Sequence, residues 1–288
     1  MILQLPETIV YSFSLFIFGL AVGSFLNVVA IRYNPDKFLF SFRNLSGRSR
    51  CPECKKMLHW YELVPLFSFL IQGGKCRGCS MKISWQYPIV EFLTGLAFLI
   101  PVYIQWPYWL AIGWVIATTI LILMSVIDYR LYLIPDEIIV SLSVLGIILA
   151  GFKFYYQDFL AWHGSFLKNY SLLFMLPGNI FWQHILTAII ACLLFLFIVL
   201  VTKGKGMGMG DVKLAGAIGL LMGPPDAFLA LALSFVIGSA IGIFLMILNK
   251  KKFKEPIPFG PHIVLGVFVV MFFGYQILDF YFNLFGVF

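Results

Sequence analysis

Long apolar segments, separated by short polar ones, recur along nearly the whole sequence. A helix needs about 20 apolar residues to cross a bilayer. Eight segments are predicted to cross it, at 8–31, 86–104, 109–127, 137–152, 181–202, 212–223, 226–249 and 257–285. The sixth is short and ends in Gly223-Pro224-Pro225, which is more typical of a tilted or partly buried segment that lines a cavity than of a lipid-facing helix. The pattern predicts an all-α polytopic membrane protein with about eight transmembrane helices.

Composition excludes a soluble domain. The chain is 61% hydrophobic and 11% charged, whereas soluble domains contain roughly 25% charged residues. Glu7 precedes the first apolar segment and no basic residue does, which argues against a cleaved signal peptide. The first segment is therefore interpreted as a retained transmembrane helix.

Positive charge is concentrated between the first two predicted spans. Residues 32–82 contain ten Lys or Arg and three acids, which accounts for the net charge of +7. Basic residues near span ends tend to stay in the cytoplasm, so the region is predicted to be cytoplasmic and the N-terminus to lie outside. Contact with anionic membrane lipids is expected, and nucleic-acid binding is not. The aromatic-rich loop 153–180 then lies outside, and its role is open.

Four cysteines in this basic region form two CxxC pairs. Cys51 and Cys54 are separated from Cys76 and Cys79 by 21 residues, a spacing typical of zinc ribbons. Each tight turn directs two thiolates inward, and two such turns complete a tetrahedral shell with no open position. Disulfides are the alternative, which a reducing cytoplasm disfavours. The spacing predicts a structural zinc that folds a small, ribbon-like cytoplasmic loop domain.

Two aspartates at span ends are the candidates for chemistry, because ionisable groups there are energetically expensive. Asp128 ends the third span, the end at which the helix dipole disfavours an anion, and pairing with Arg130 is the alternative. Asp211 opens the sixth span after a glycine-rich run that permits close backbone approach. Helix N-capping is the alternative for Asp211, and it is the leading interpretation for Asp136, which follows Pro135.

Other hydrolytic mechanisms find no support in the residue inventory. The four histidines include no HExxH pair for a zinc protease. Ser24 in the first span has no histidine in a comparable position to act as its base. Two aspartates remain, and such a pair can share one proton so that one activates water while the other protonates the scissile carbonyl.

An ordered series of motifs covers nearly the full chain. It comprises Gly23-Ser24-Phe25-Leu26-Asn27-Val28-Val29 with Arg32, the two CxxC pairs, Gly74-Lys75-Cys76, Tyr87-Pro88 with Glu91, Ile127-Asp128, Pro135-Asp136, GxGD at Gly208 to Asp211 with Lys213, and Ile257-Pro258-Phe259-Gly260-Pro261. In these motifs the chain resembles the bacterial prepilin peptidases, also called type IV leader peptidases, which are bifunctional membrane aspartic enzymes. Met209 departs from the family, where this position is often aromatic.

The resemblance implies that Asp128 and Asp211 are the catalytic pair, which cuts the basic leader from type IV prepilins or type II secretion pseudopilins at the cytoplasmic face of the bacterial inner membrane. It also implies S-adenosylmethionine-dependent N-methylation of the new N-terminal residue. The residues assigned to a substrate or methyl-donor site are Asn27, Arg32, Glu91, Asp136, Gly208, Gly210 and Lys213.

This interpretation divides the chain into a first transmembrane helix (1–31), a cytoplasmic four-cysteine metal-binding domain (32–85) and a transmembrane aspartic peptidase domain (86–288). Two alternatives stay open. One is a peptidase without methyl transfer. The other is an ion-coupled transporter in which Asp128 and Asp211 bind a proton or a cation.

Overall fold

The computed structural model describes residues 5–36, 38–39, 47–104, 107–156, 165–168, 170, 179–204, 206–249 and 255–286. The chain forms two compact units, Met1–Ile127 and Asp128–Phe288. The loop 153–180, for which no role was predicted, lies partly outside the described residues. The domain boundaries proposed from the sequence stay a prediction.

Helices account for almost all regular structure in the described ranges. They are α1 (Leu5–Arg32), α2 (Phe67–Ile71), α3 (Gln86–Ala97), α4 (Ile100–Ile104), α5 (Tyr108–Leu131), α6 (Asp136–Tyr155), α7 (Ile180–Val201), α8 (Met209–Met222), α9 (Asp226–Ile247) and α10 (Gly260–Leu284). A 3-10 turn at Trp60–Glu62 and two isolated β-bridges complete the described structure. The predicted all-α class is confirmed.

Six helices in the described part of the chain are long and apolar enough to cross a membrane, namely α1, α5, α6, α7, α9 and α10. The prediction of eight spans is not confirmed. The segment predicted at 86–104 divides into α3 and α4, and α3 has only 12 residues. The segment predicted at 212–223 is α8, whose 14 residues extend about 21 Å at 1.5 Å per residue, less than the roughly 30 Å hydrocarbon core.

In the first unit, α1 packs closely against α3. A Cβ atom added at Gly23 of α1 would lie 2.8 Å from Cα of Glu91, and one at Gly95 of α3 would lie 2.7 Å from the ring of Phe16. Glycine at both positions lets the two backbones approach each other. The rings of Phe16 and Phe92 meet edge to face beside this contact.

In the second unit, α8 is enclosed by its neighbours, and ten of its 14 residues are buried. A Cβ at Gly219 of α8 would lie 2.6 Å from Cα of Ala188 on α7, and one at Gly146 of α6 would lie 2.9 Å from the backbone of Leu220. Because backbone rather than flexible side chains fills this space, α8 has little room to shift between α6 and α7. Its first turn carries Asp211.

Candidate functional site

Asp128 lies in the last turn of α5 and is 5% exposed. Its Oδ2 atom accepts a 2.9 Å hydrogen bond from the backbone N–H of Gly260, the first residue of α10. The positive end of α10 therefore faces a carboxylate that the end of α5 disfavours. The sequence motif around Gly260 carried no predicted role, and this contact supplies one.

Asp211 is the third residue of α8 and is 8% exposed. The N-cap of the helix is Gly208, and Oδ2 of Asp211 accepts a 3.1 Å hydrogen bond from the Gly208 N–H. Asp211 thus reaches back to the capping residue instead of capping the helix itself. The carboxylate lies in the first helical turn, where the helix dipole favours negative charge.

The two carboxylates are close enough for the charge of Asp128 to act on Asp211. Each has one oxygen held by a backbone N–H. Among the described residues, neither Oδ1 atom accepts a hydrogen bond. Each acid therefore combines a fixed oxygen with one that is available to a water molecule or a substrate.

Asp136 and Lys213 come together near the start of α8. Lys213 Nζ lies 2.7 Å from Oδ1 of Asp136, and their side chains are 51% and 71% exposed. An exposed pair of this kind contributes at most about 1 kcal/mol. Gly208 supplies the amide that holds Asp211, and Gly210 lies against Ile134, whose side chain would be 3.4 Å from an added Cβ.

Asn27, Arg32 and Glu91 lie in the first unit, and each binds backbone. Asn27 Nδ2 donates to the carbonyls of Gly23 and Tyr87, both at 3.3 Å. Arg32 Nη2 donates to the Gly47 carbonyl at 3.0 Å. Glu91 Oε2 accepts a hydrogen bond of 2.8 Å from the Leu66 N–H. Two of these bonds hold the chain on either side of the cysteine pairs, at Gly47 before them and at Tyr87 after them. The structure therefore gives these residues a part in holding the cysteine region, and their assignment to a substrate or methyl-donor site stays a prediction.

The four predicted cysteine ligands cluster. The Sγ atoms of Cys51, Cys54, Cys76 and Cys79 all lie within 4.8 Å of one another, and those of Cys51 and Cys79 are 3.9 Å apart. A tetrahedral zinc with Zn–S bonds of about 2.3 Å separates its sulfurs by about 3.8 Å. The donor set therefore fits a tetrahedral metal ion, and the cluster could bind one.

The two cysteine turns have the same backbone design. In the first, the Cys51 N–H donates to the Lys56 carbonyl, and in the second the Cys76 N–H donates to the Met81 carbonyl. Antiparallel bridges Arg50–Met57 and Lys75–Lys82 close the turns. Each turn thus brings its two thiols together with the help of hydrogen bonds within the turn.

Backbone N–H groups favour the thiolate form of Cys76 and Cys79, the form that binds a cation. The N–H groups of Gly78 and Cys79 lower the pKa of Cys76 to about 7. The Met81 N–H lowers the pKa of Cys79, but burial and the neighbouring thiols raise it to about 11. Four clustered thiols cannot all ionise unless a cation offsets their mutual repulsion, and the thiolate is the form that binds metal.

A buried acid that the sequence analysis did not select also organises this loop. Glu62 accepts a 2.9 Å hydrogen bond from the His59 N–H, which lowers the pKa of Glu62, and Lys56 Nζ lies 3.7 Å away. Arg77 of the second turn lies over the ring of Tyr61. Glu62 is one of three acids among the ten basic residues of 32–82, and this contrast is the sequence signal that could have identified it.

Comparisons with known proteins extend over both units. The family model described as "Bacterial Peptidase A24 N-terminal domain" matches residues 17–105, and that described as "Type IV leader peptidase family" matches residues 115–243. The "Prepilin leader peptidase/N-methyltransferase" of Stutzerimonas stutzeri is 30% identical over 282 residues, which cover 91% of this chain and 90% of the relative. The protein of the same name from Bacillus subtilis (strain 168) is 29% identical, with 93% and 96% covered. No solved structure matches the chain.

Proposed function

Because the chain belongs to the type IV leader peptidase family, we propose that it is the enzyme that removes the leader peptide of type IV prepilins, with Asp128 and Asp211 as its catalytic pair. The observation that carries the proposal is the geometry of these two buried acids, each held by one backbone amide with the other oxygen available. The second unit contains both acids, so it supplies the peptidase chemistry.

The proposed reaction uses one proton shared between the two carboxylates. The ionised aspartate takes a proton from a water molecule, and the resulting hydroxide attacks the scissile carbonyl carbon while the protonated aspartate donates its proton to the carbonyl oxygen. When the tetrahedral intermediate collapses, the carbon–nitrogen bond breaks, the leaving amine takes up a proton from the protonated aspartate, and one hydroxyl of the intermediate returns its proton to the other aspartate, which restores the shared proton. The amides of Gly260 and Gly208 hold the carboxylates in place throughout.

The proposed substrates are type IV prepilins or type II secretion pseudopilins. Their apolar helix inserts in the same bilayer, which orients the leader junction and reduces the entropy lost on binding. We place the active site at the cytoplasmic face, where a basic leader stays. The ten basic residues of 32–82 support this orientation.

We assign the four-cysteine cluster a structural zinc. Cys51, Cys54, Cys76 and Cys79 would hold it, and a closed shell of four thiolates supplies folding energy and leaves no position for substrate. A loop with so small a core needs such a cross-link.

Methyl transfer is the second activity that we propose, since relatives named for it match over about nine-tenths of this chain. S-adenosylmethionine would supply a methyl group to the new N-terminal amine, which loses a proton, and S-adenosylhomocysteine would be the leaving group. Asn27, Arg32 and Glu91 hold the backbone of the region that the Bacterial Peptidase A24 N-terminal domain matches. Asp136 and Lys213 stay candidates for contact with substrate.

One assay tests both activities. A purified prepilin is incubated in detergent with the purified chain and S-adenosylmethionine, and the products are weighed by mass spectrometry. A mature pilin that carries one added methyl group is expected. Cleavage without methylation would leave a peptidase alone. Unchanged cleavage by both Asp128→Asn and Asp211→Asn would exclude the aspartic mechanism, whereas no cleavage by the unaltered chain would favour the ion-coupled transporter.

A further inference from the structure

The C-terminal end of α8, opposite Asp211, needs hydrogen-bond partners from outside the helix. The last four carbonyls of any helix lack partners within that helix, and an unsatisfied carbonyl away from water costs several kcal/mol. α8 is packed between α6 and α7, which are both long enough to span the membrane, yet it is too short to span it. Its last carbonyls therefore need partners from the protein.

His184, in the second turn of α7, supplies one of these partners. Its ring is 3% exposed, and Nδ1 lies 2.7 Å from the carbonyl oxygen of Leu220. Since a carbonyl oxygen only accepts hydrogen bonds, Nδ1 carries the proton. The ring also covers Gly223, where an added Cβ would lie 2.5 Å from Nε2 and where φ is +73°. His184 thus holds both the last turn of α8 and the glycine that ends the helix.

Buried charged groups surround this contact. Lys153, in the last turn of α6, interacts electrostatically with His184 and with Asp226, the first residue of α9. Asp226 in turn accepts a 2.9 Å hydrogen bond from the Ser165 hydroxyl. Polar groups from three helices and a loop therefore meet around the turn that follows α8.

The position of this turn is transmitted along α8 to the active site. Leu220 lies nine residues after Asp211, which is about 14 Å of helix. The close contacts of Gly219 with Ala188 and of Gly146 with Leu220 leave the helix little lateral freedom. A hydrogen bond at one end of a rigid helix therefore influences its axial position at the other.

We infer that His184 is a positioning residue for the peptidase reaction. By binding the Leu220 carbonyl, it sets the axial position of α8 and so the place of the Asp211 carboxylate relative to Asp128. The inference rests on the proposed catalytic role of Asp211. His184 touches no reacting atom in this account and acts only through the helix.

The test compares His184→Ala, His184→Asn and His184→Gln in the full-length chain, purified in detergent as monodisperse protein. The amide nitrogen of Asn stands as many bonds from Cα as Nδ1 of His, whereas that of Gln matches Nε2. Rates of prepilin cleavage are measured over a range of substrate concentrations. Because a misplacement of 1 Å can lower a rate by about 100-fold, we expect His184→Ala to lower kcat by at least about 10-fold with KM changed by less than about 2-fold. His184→Asn is expected to restore most of kcat, and His184→Gln is not.

Thr187→Val is the matched control. Thr187 is buried one turn further along α7, and among the described residues its hydroxyl bonds within its own helix, to the Gln183 carbonyl. We expect kcat of this variant to stay close to that of the unaltered chain. A loss as large as that of His184→Ala would show that any change in α7 has the same effect and would overturn the inference.

Other outcomes also decide. A kcat of His184→Ala equal to that of the unaltered chain would overturn the positioning role. If His184→Ala does not fold, the other two variants decide: equal kcat values for His184→Asn and His184→Gln would overturn the positioning role. Asp211→Asn separates the two proposals: an inactive Asp211→Asn with a fully active His184→Ala refutes only the positioning role, whereas an active Asp211→Asn refutes the catalytic pair.

Discussion

In the cysteine loop, four thiols meet because two tight turns each follow a local rule, whereas Asp128 of α5 acts on Asp211 of α8 although α6 and α7 lie between them in the chain. The turns close by hydrogen bonds between residues at most nine positions apart. The Asp128 carboxylate instead depends on Gly260, which is 132 residues away. The loop can therefore be recognised from spacing, while the aspartate site has to be assembled by the fold.

The same contrast separates the expected roles. A closed shell of thiolates leaves no position for a substrate, so the loop contributes folding energy. Each aspartate has one oxygen without a hydrogen-bond partner among the described residues and one that accepts from a backbone N–H at the start of a helix, α10 for Asp128 and α8 for Asp211. Substitutions of the aspartates should therefore leave the zinc content unchanged, and substitutions of the cysteines should leave the aspartate pair itself unchanged.

The largest effect is expected for Asp128→Asn and Asp211→Asn. An amide can neither take a proton from water nor donate one to the carbonyl, so prepilin cleavage should fall by roughly 10²–10⁴-fold or more. Zinc content, measured by atomic absorption, should stay unchanged. Asp36→Asn, at an exposed position in the first unit, is the control and should cleave normally. Loss of zinc in the active-site variants would contradict the separation of the two regions.

The next largest effect is expected when Cys51 and Cys76 are both replaced by Ser. Each of the two turns then loses a ligand, and zinc content should fall from about one ion per chain to almost none. Trypsin should then cut within 47–85 much faster than in the unaltered chain. Cys192→Ser is the matched control, because Cys192 lies on α7 and is not one of the four clustered thiols, and it should retain the metal. Full zinc content in the double variant would refute the four-thiolate site.

A smaller effect is expected where α8 meets α7. Gly219→Ala would place a Cβ 2.6 Å from Cα of Ala188, and such overpacking costs about 1–3 kcal/mol. Gly151→Ala is the control, since nothing lies within 4 Å of its Cβ and alanine improves the helix by up to about 1 kcal/mol. Thermal unfolding in detergent should show a lower Tm for the first variant and an unchanged or higher Tm for the second. The opposite order would mean that α8 is less confined than the distances indicate.

The smallest effect is expected for Lys213→Met. The pair with Asp136 is exposed on both sides, so its loss should lower the free energy of unfolding by less than about 1 kcal/mol. The difference should vanish in about 1 M salt, where charges are screened beyond about 3 Å. A larger effect that persists in high salt would indicate that the pair is buried by a partner or by substrate.

Local rules explain what could be predicted. Spacing of cysteines determines which thiols can share a tetrahedral site, and hydropathy determines that the chain crosses a bilayer, because both depend on neighbouring residues. The count of spans failed at 86–104 and 212–223 because hydropathy does not distinguish a helix in lipid from an equally apolar one enclosed by protein. The sequence also did not indicate that Asn27 and Glu91 bind backbone within the first unit, because these contacts join residues far apart in the chain.

The sequence by itself determined the all-helical membrane class, the four-cysteine cluster and the choice of Asp128 and Asp211 as candidates, since each rests on residue type and short spacing. Only the tertiary structure decided that α8 is a short enclosed helix, that Gly260 holds the Asp128 carboxylate, and that His184 binds the far end of α8. These contacts join residues from separate helices. Packing of the helices brings such residues together, and no pattern of neighbouring residues in the sequence predicts these contacts.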